Sequence, residues 1–340
     1  MRCSLRLNND LRPADYVALA RTAERHGFDQ VWISNDLFLR SAPILLTAVV
    51  QATERIEVGS GILNPHTIHP AELATLAATL DELSGGRFNL GLGAGAADFL
   101  GWVGIDDARP AATMREAIAA IRAWLSGGRA PAGRFVREPH AAYLRFPPRR
   151  VTPIYLGAMG PAMLRLAGEL ADGALPLLFP PEHWATVRPL VDEGRRRRDG
   201  ALGELDLAAC LWVSLANDDA AARRALAEKI AYYGHALGPL IYARLGVARE
   251  EFAPIERALT IDRDLDRACA MVDARMLRIG VAGRPATLVD RLRPLVAAGV
   301  RHLSFGPPLG PDPLRAVELL GREVLPALRG APLDRPPEGA

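Results

Sequence analysis

Two rhythms of apolar residues alternate along this chain. Short runs rich in aliphatic and β-branched residues predict strands at 3–7, 30–33, 56–58, 88–92, 154–156, 173–178, 207–215 and 302–305. Between them, apolar positions returning every three or four residues predict helices at 14–26, 111–125, 162–171 and 220–237, with another from about Pro70 to a stop at 84–86. In the first helix Val17, Leu19, Ala20 and Ala23 form the apolar stripe, and Gly27 ends it. Eight strands, most followed by a helix, predict an α/β fold: a closed (β/α)8 TIM barrel whose post-strand loops form the ligand-binding rim.

Residues 59–99 locate a site on that rim. A strand runs into Gly59-Ser60-Gly61 and then Asn64-Pro65; a helix follows, and the next strand ends in Gly91, Gly93 and Gly95. Strand, helix, strand implies a right-handed parallel crossover, with permissive loops after both strands. Gly91-x-Gly93-x-Gly95 lacks the third glycine at the spacing of the dinucleotide fingerprint, which argues against a doubly wound fold.

With 340 residues and 49% apolar content, the chain can bury a large core. We expect one domain over 1–329, with a Gly-, Pro- and Arg-rich surface excursion at 127–151. A helical insertion at 233–279 would serve as a lid or an oligomer contact, and 330–340 would be a mobile tail. A formal charge of +2 gives no case for a nucleic-acid or acidic-membrane partner. Lys229 is the single lysine, which we attribute to a GC-rich coding sequence; the run Arg195–Arg198 reads as a solvated helix end. Cys3, Cys210 and Cys269 have no metal or disulfide spacing, and no apolar run suits a leader or a membrane span. The expectation is a cytoplasmic protein.

Several residues could carry chemistry. Gly157-Ala158-Met159-Gly160-Pro161 follows a strand and opens a helix, where free N–H groups and small residues suit an anion. Asp36 follows the second strand, in the position of catalytic groups in barrels; its alternative is a helix-start residue. His66 and His69 lack further ligands nearby, so no metal is expected. Phe38, Phe99, Trp102, Leu177, Phe179 and Phe305 fall at strand ends and could wall an apolar pocket.

Ordered blocks across nearly the whole chain carry a resemblance. They are Trp32-Ile-Ser-Asn-Asp36, Asn64-Pro65, 78–84 with Gly86-Arg87, 91–95, 153–161, 171–174 and 306–312. The chain resembles the luciferase-like flavin and deazaflavin oxidoreductases, nearest the methylenetetrahydromethanopterin reductase branch. The resemblance implies hydride transfer between the 8-hydroxy-5-deazaflavin coenzyme F-420 and a small-molecule substrate. It also implies a homo-oligomer (dimer or tetramer) and a non-prolyl cis peptide joining Gly61 and Ile62 behind the cofactor ring. Cofactor contacts would come from Gly61, Ile62, Leu63, Asn64, Gly95, Gly157, Ala158, Met159 and Gly160, with Asp36 catalytic. Rival readings are an FMN-dependent monooxygenase fed by a partner reductase, and a catalytically silent flavin- or deazaflavin-binding barrel. The chain departs from the branch in two places: Arg6 and Ala96 stand where the reductases carry acids, with Asp98 two residues beyond. Asn35–Asp36 likewise replaces the Asp-His pair of many deazaflavin enzymes.

Overall fold

In a computed structural model describing residues 1–330, apart from the Asp98 side chain, the strands are all parallel. They are β1 (Arg2–Leu7), β2 (Gln30–Ile33), β3 (Glu57–Ser60), β4 (Phe88–Leu92), β5 (Ile154–Ala158), β6 (Gly173–Pro176), β7 (Asp206–Leu215), β8 (Val281–Gly283) and β9 (His302–Leu309). Strands β1 to β6 pair in sequence order; β6 pairs with β7, β7 with β9, and β9 returns to β1. These eight close the expected barrel. β8, which the apolar pattern missed, is a three-residue strand beside the C-terminal end of β7. β9 runs four residues beyond its predicted end because it continues through Pro307 and Pro308, residues that ordinarily signal a strand's end.

Proline opens many of the helices that wrap the barrel: Pro13, Pro70, Pro110, Pro161 and Pro285 each occupy a first helical turn, where a missing N–H costs nothing. Alternation along β1 sends Cys3, Leu5 and Leu7 outward into the core between strands and helices. The inward side chains fill the barrel. Trp32 and Tyr155 meet there with ring centroids 4.8 Å apart. Each relies on a glycine in the neighbouring strand, since a β-carbon on Gly59 would stand 2.2 Å from the Trp32 ring and one on Gly173 2.0 Å from Tyr155. Below them, toward the strand N-termini, lies a polar layer. His302 Nδ1 is 3.0 Å from the Asp206 carboxylate and Nε2 is 2.8 Å from Ser4 Oγ, while Tyr155 donates to Asp206 at 2.8 Å. Burial alone would raise the Asp206 carboxyl, but the His302 and Tyr155 hydrogen bonds and the Arg2 charge hold it below its ordinary value.

The excursion at 127–151 contains no helix or strand, yet it is pinned: Ala130 and Val136 are buried, and the Trp124 indole donates to Ala142 O. The insertion at 233–279 forms short helices, including Pro239–Leu245, Ala253–Thr260 and Leu265–Ala270. Ile241, Phe252, Ile255 and Met276 build a second apolar cluster there, against Leu226 and Ile230 of helix Asp219–Tyr233 and Trp212 of β7. Within the run Arg195–Arg198, Arg198 donates to the carbonyls of Ala171, Leu202 and Gly203, and Arg195 pairs with Asp192. It is therefore a helix end tied into its surroundings. The expected tail lies, beyond Gly330, outside the described residues.

Candidate active site

A cavity of about 410 Å³ opens at the C-terminal rim of the barrel. Gly61, Ile62, Asn64, Gly95, Gly157, Ala158, Met159, Gly160 and Asp36, all anticipated as site residues, line it. Leu63 does not. It is fully buried in the outer core, its N–H donating to Gly91 O, because alternation past Ile62 turns its side chain away from the cavity. Leu63 is thus corrected from a cofactor contact to a packing residue.

The peptide between Gly61 and Ile62 is cis. The glycines around it have a steric reason. A β-carbon on Gly91 would stand 1.8 Å from Ser60 O, and one on Gly93 or on Gly157 would stand 2.9 Å from the Ile62 side chain. The run at 91–95 therefore makes a slot for the bulge after β3. Gly95 has a further constraint, a φ of +82°.

Asn64 shapes the following loop. Its Oδ1 accepts from the His66 and Thr67 N–H groups and from Thr67 Oγ1. Those donors fix the amide's orientation, so its NH2 lies on the opposite side, 3.5 Å from where a Gly95 β-carbon would be. His66 Nε2 lies 3.3 Å from Asp107, so His66 is a loop histidine beside a carboxylate.

Across the cavity, Gly160 is the N-cap of helix Pro161–Leu170 and provides no side-chain cap. Nothing lies within 4 Å of a β-carbon built on Gly160, so the approach to the helix's free N–H groups is open. Arg165 takes no part; it pairs with Glu193 at 2.5 Å.

The model of the luciferase-like monooxygenase family matches residues 4–302. The chain belongs to that family. Among its luciferase-like relatives, the 5,10-methylenetetrahydromethanopterin reductase of Methanopyrus kandleri is 33% identical over 93% of this chain and 95% of its own. An F-420-dependent glucose-6-phosphate dehydrogenase of Nakamurella multipartita is 31% identical, with 93% of each chain covered. The solved structure of the coenzyme F-420-dependent tetrahydromethanopterin reductase from Methanopyrus kandleri superposes with a TM-score of 0.86 at 31% identity, covering 96% of this chain and 99% of that one.

In this luciferase-like barrel, Asp36 is held by its backbone and its side chain is left for the cavity. It is Asn35 whose Oδ1 accepts from Ala42 N at the start of helix Ala42–Ala52. Burial raises the Asp36 carboxyl above its ordinary value; Lys229 opposes this and Asp10 adds to it. Lys229 is buried, its Nζ 3.8 Å from the Tyr233 ring centroid, and burial lowers its ammonium to about 8 against the pull of Asp10 and Asp36. The sequence reading gave Lys229 only a compositional meaning and assigned no role to Asn9, whose side chain bonds the Asp36 backbone. The clue to the first was its being the only lysine. Ala96 lines the cavity without an acid, and the Asp98 side chain lies outside the described residues. Phe99, Leu100, Met163, Leu175 and Leu177 supply the apolar wall. Phe38 and Trp102 are largely exposed near its mouth, while Phe179 and Phe305 are buried in the two cores.

Proposed function

We propose that this chain is a coenzyme F-420-dependent oxidoreductase acting on a small organic substrate. The observation that carries the reading is the glycine slot that seats Ile62 and turns the Gly61–Ile62 segment toward the cavity. The full-length likeness to F-420-dependent enzymes supports it. The residues fit the coenzyme: Gly61 and Ile62 would back the deazaflavin ring, the Asn64 NH2 would donate to its polar edge, and Ala158–Gly160 would receive the phosphate at an open helix N-terminus. When bound, the coenzyme supplies the hydride chemistry.

The chain's own residues orient and seal. Leu175 and Leu177, part of the apolar wall, exclude water. Asp36, its carboxyl raised by burial, can hold a proton for the substrate. Among the described residues no helix is long and apolar enough to cross a membrane, and no group of three or more His, Cys, Asp or Glu side chains is arranged to hold a metal ion. Assembly as a homo-oligomer is part of the proposal, and sedimentation would read it.

Titration of the purified protein with coenzyme F-420 and with FMN tests the assignment. We expect saturable binding of the deazaflavin, and weaker binding of FMN. Saturation by FMN alone would replace the reading with a flavin-dependent monooxygenase.

A further inference from the structure

Arg6 is a cation at the base of the cavity without an anionic partner. Alternation along β1 aims it into the barrel, between the outward-facing Leu5 and Leu7, and it lines the same cavity as Gly61 and Ile62. Its Nη2 donates to Leu211 O at 3.1 Å, and its Nε is buried with no acceptor. Among the described residues no carboxylate forms an ion pair with it; the Cys210 thiol acts on it, and Lys229 faces it as a like charge. Gly306 makes the room, since a β-carbon there would stand 2.3 Å from Nη2.

Burying a guanidinium without a counter-charge is expensive, and a fork of five N–H donors fits a planar oxyanion in two parallel hydrogen bonds. The nearby anions Asp10 and Asp36 act on Lys229, which Arg6 repels, and neither forms an ion pair with Arg6. The coenzyme's phosphate is no candidate for Arg6. In the closed barrel β1 lies opposite β5, with β2, β3 and β4 between them on one side and β9, β7 and β6 on the other. The phosphate site on β5 is therefore across the full width of the barrel.

We propose that Arg6 is a substrate-recognition residue, and that the substrate presents a carboxylate to it. This rests on the oxidoreductase reading and narrows it to anionic substrates.

Benzoate and benzamide, isosteric and differing in charge, are the probes. Their binding is measured by thermal shift at constant ionic strength, with and without coenzyme F-420. In the wild type we expect benzoate to bind at least tenfold more tightly than benzamide. Arg6→Gln should bring the two to within about twofold, Arg6→Lys should retain part of the preference, and coenzyme affinity should stay within threefold in both variants. Equal binding of the two probes by the wild type, or a preference that survives Arg6→Gln, would overturn the proposal. Should Arg6→Gln not fold, a preference in Arg6→Lys equal to that of the wild type would count against the bidentate fork. A coenzyme that does not bind the wild type refutes the oxidoreductase reading separately, because the probe comparison is also read without it.

Discussion

Asn9 grips Asp36 by both its backbone N–H and its backbone carbonyl. Its Oδ1 accepts from Asp36 N at 3.0 Å, and its Nδ2 donates to Asp36 O at 3.0 Å and to Arg40 O at 2.7 Å. The asparagine is fully buried, so these bonds have no competition from water. Asn9→Ala should destabilise the fold by about 2–3 kcal/mol, from several hydrogen bonds of about 1 kcal/mol each and the groups left unpaired. It should also lower turnover at least tenfold per folded molecule. Unchanged turnover in the folded fraction would show that the placement of Asp36 does not matter.

Replacing Asp36 itself separates proton transfer from packing. Asp36→Asn should cut turnover by about 10²–10⁴ and leave cofactor affinity within a few-fold. Its stability should differ from the wild type in a pH-dependent way. The folded state holds the Asp36 proton to higher pH than the unfolded chain does. That contribution is complete below the ordinary carboxylate value of about 4 and is lost as pH rises through the higher folded value. Melting curves from pH 4 to 8 should therefore show Asp36→Asn gaining on the wild type as pH rises. A constant difference would deny the shift.

Gly157→Ala tests the slot around Ile62. The added methyl would meet Ile62 Cγ2 at 2.9 Å, an overpacking that costs about 1–3 kcal/mol. Coenzyme F-420 affinity should fall with it, as the Gly61–Ile62 segment shifts. In an Ile62→Ala background the same Gly157→Ala change should cost little in stability or affinity, a coupling that a double-mutant cycle would measure. Additive losses would mean that Gly157 acts without Ile62.

Lys229, as the only lysine, can be watched directly. Reductive methylation with ¹³C-formaldehyde gives one side-chain resonance beside that of the N-terminal amine. Its titration midpoint should lie near 8, and Asp36→Asn should lower it further by removing a nearby anion. A midpoint near the ordinary lysine value of about 10.4 would place the ammonium in water.

The barrel was legible because its signals are local. Apolar runs, proline at helix starts and glycine at stops each act within a few residues, and all eight barrel strands follow from them. What failed was short or long-range. β8 has only three residues to announce itself. Leu63 sits in a loop whose alternation is set by the bulge beside it. Arg6 takes its meaning from Leu211, 205 residues away, and from Gly306, which no local pattern could join to it.

The insertion at 233–279 has an apolar core of its own, fastened to the barrel largely through Trp212 and helix Asp219–Tyr233. Such a cluster can come apart as one cooperative unit while the barrel stays closed. In native-state hydrogen exchange its amides should share a single opening free energy below that of the barrel strands. Trp212→Leu should lower that value and leave β1 to β5 unchanged. The insertion would then have a clock of its own, separate from the lifetime of the fold.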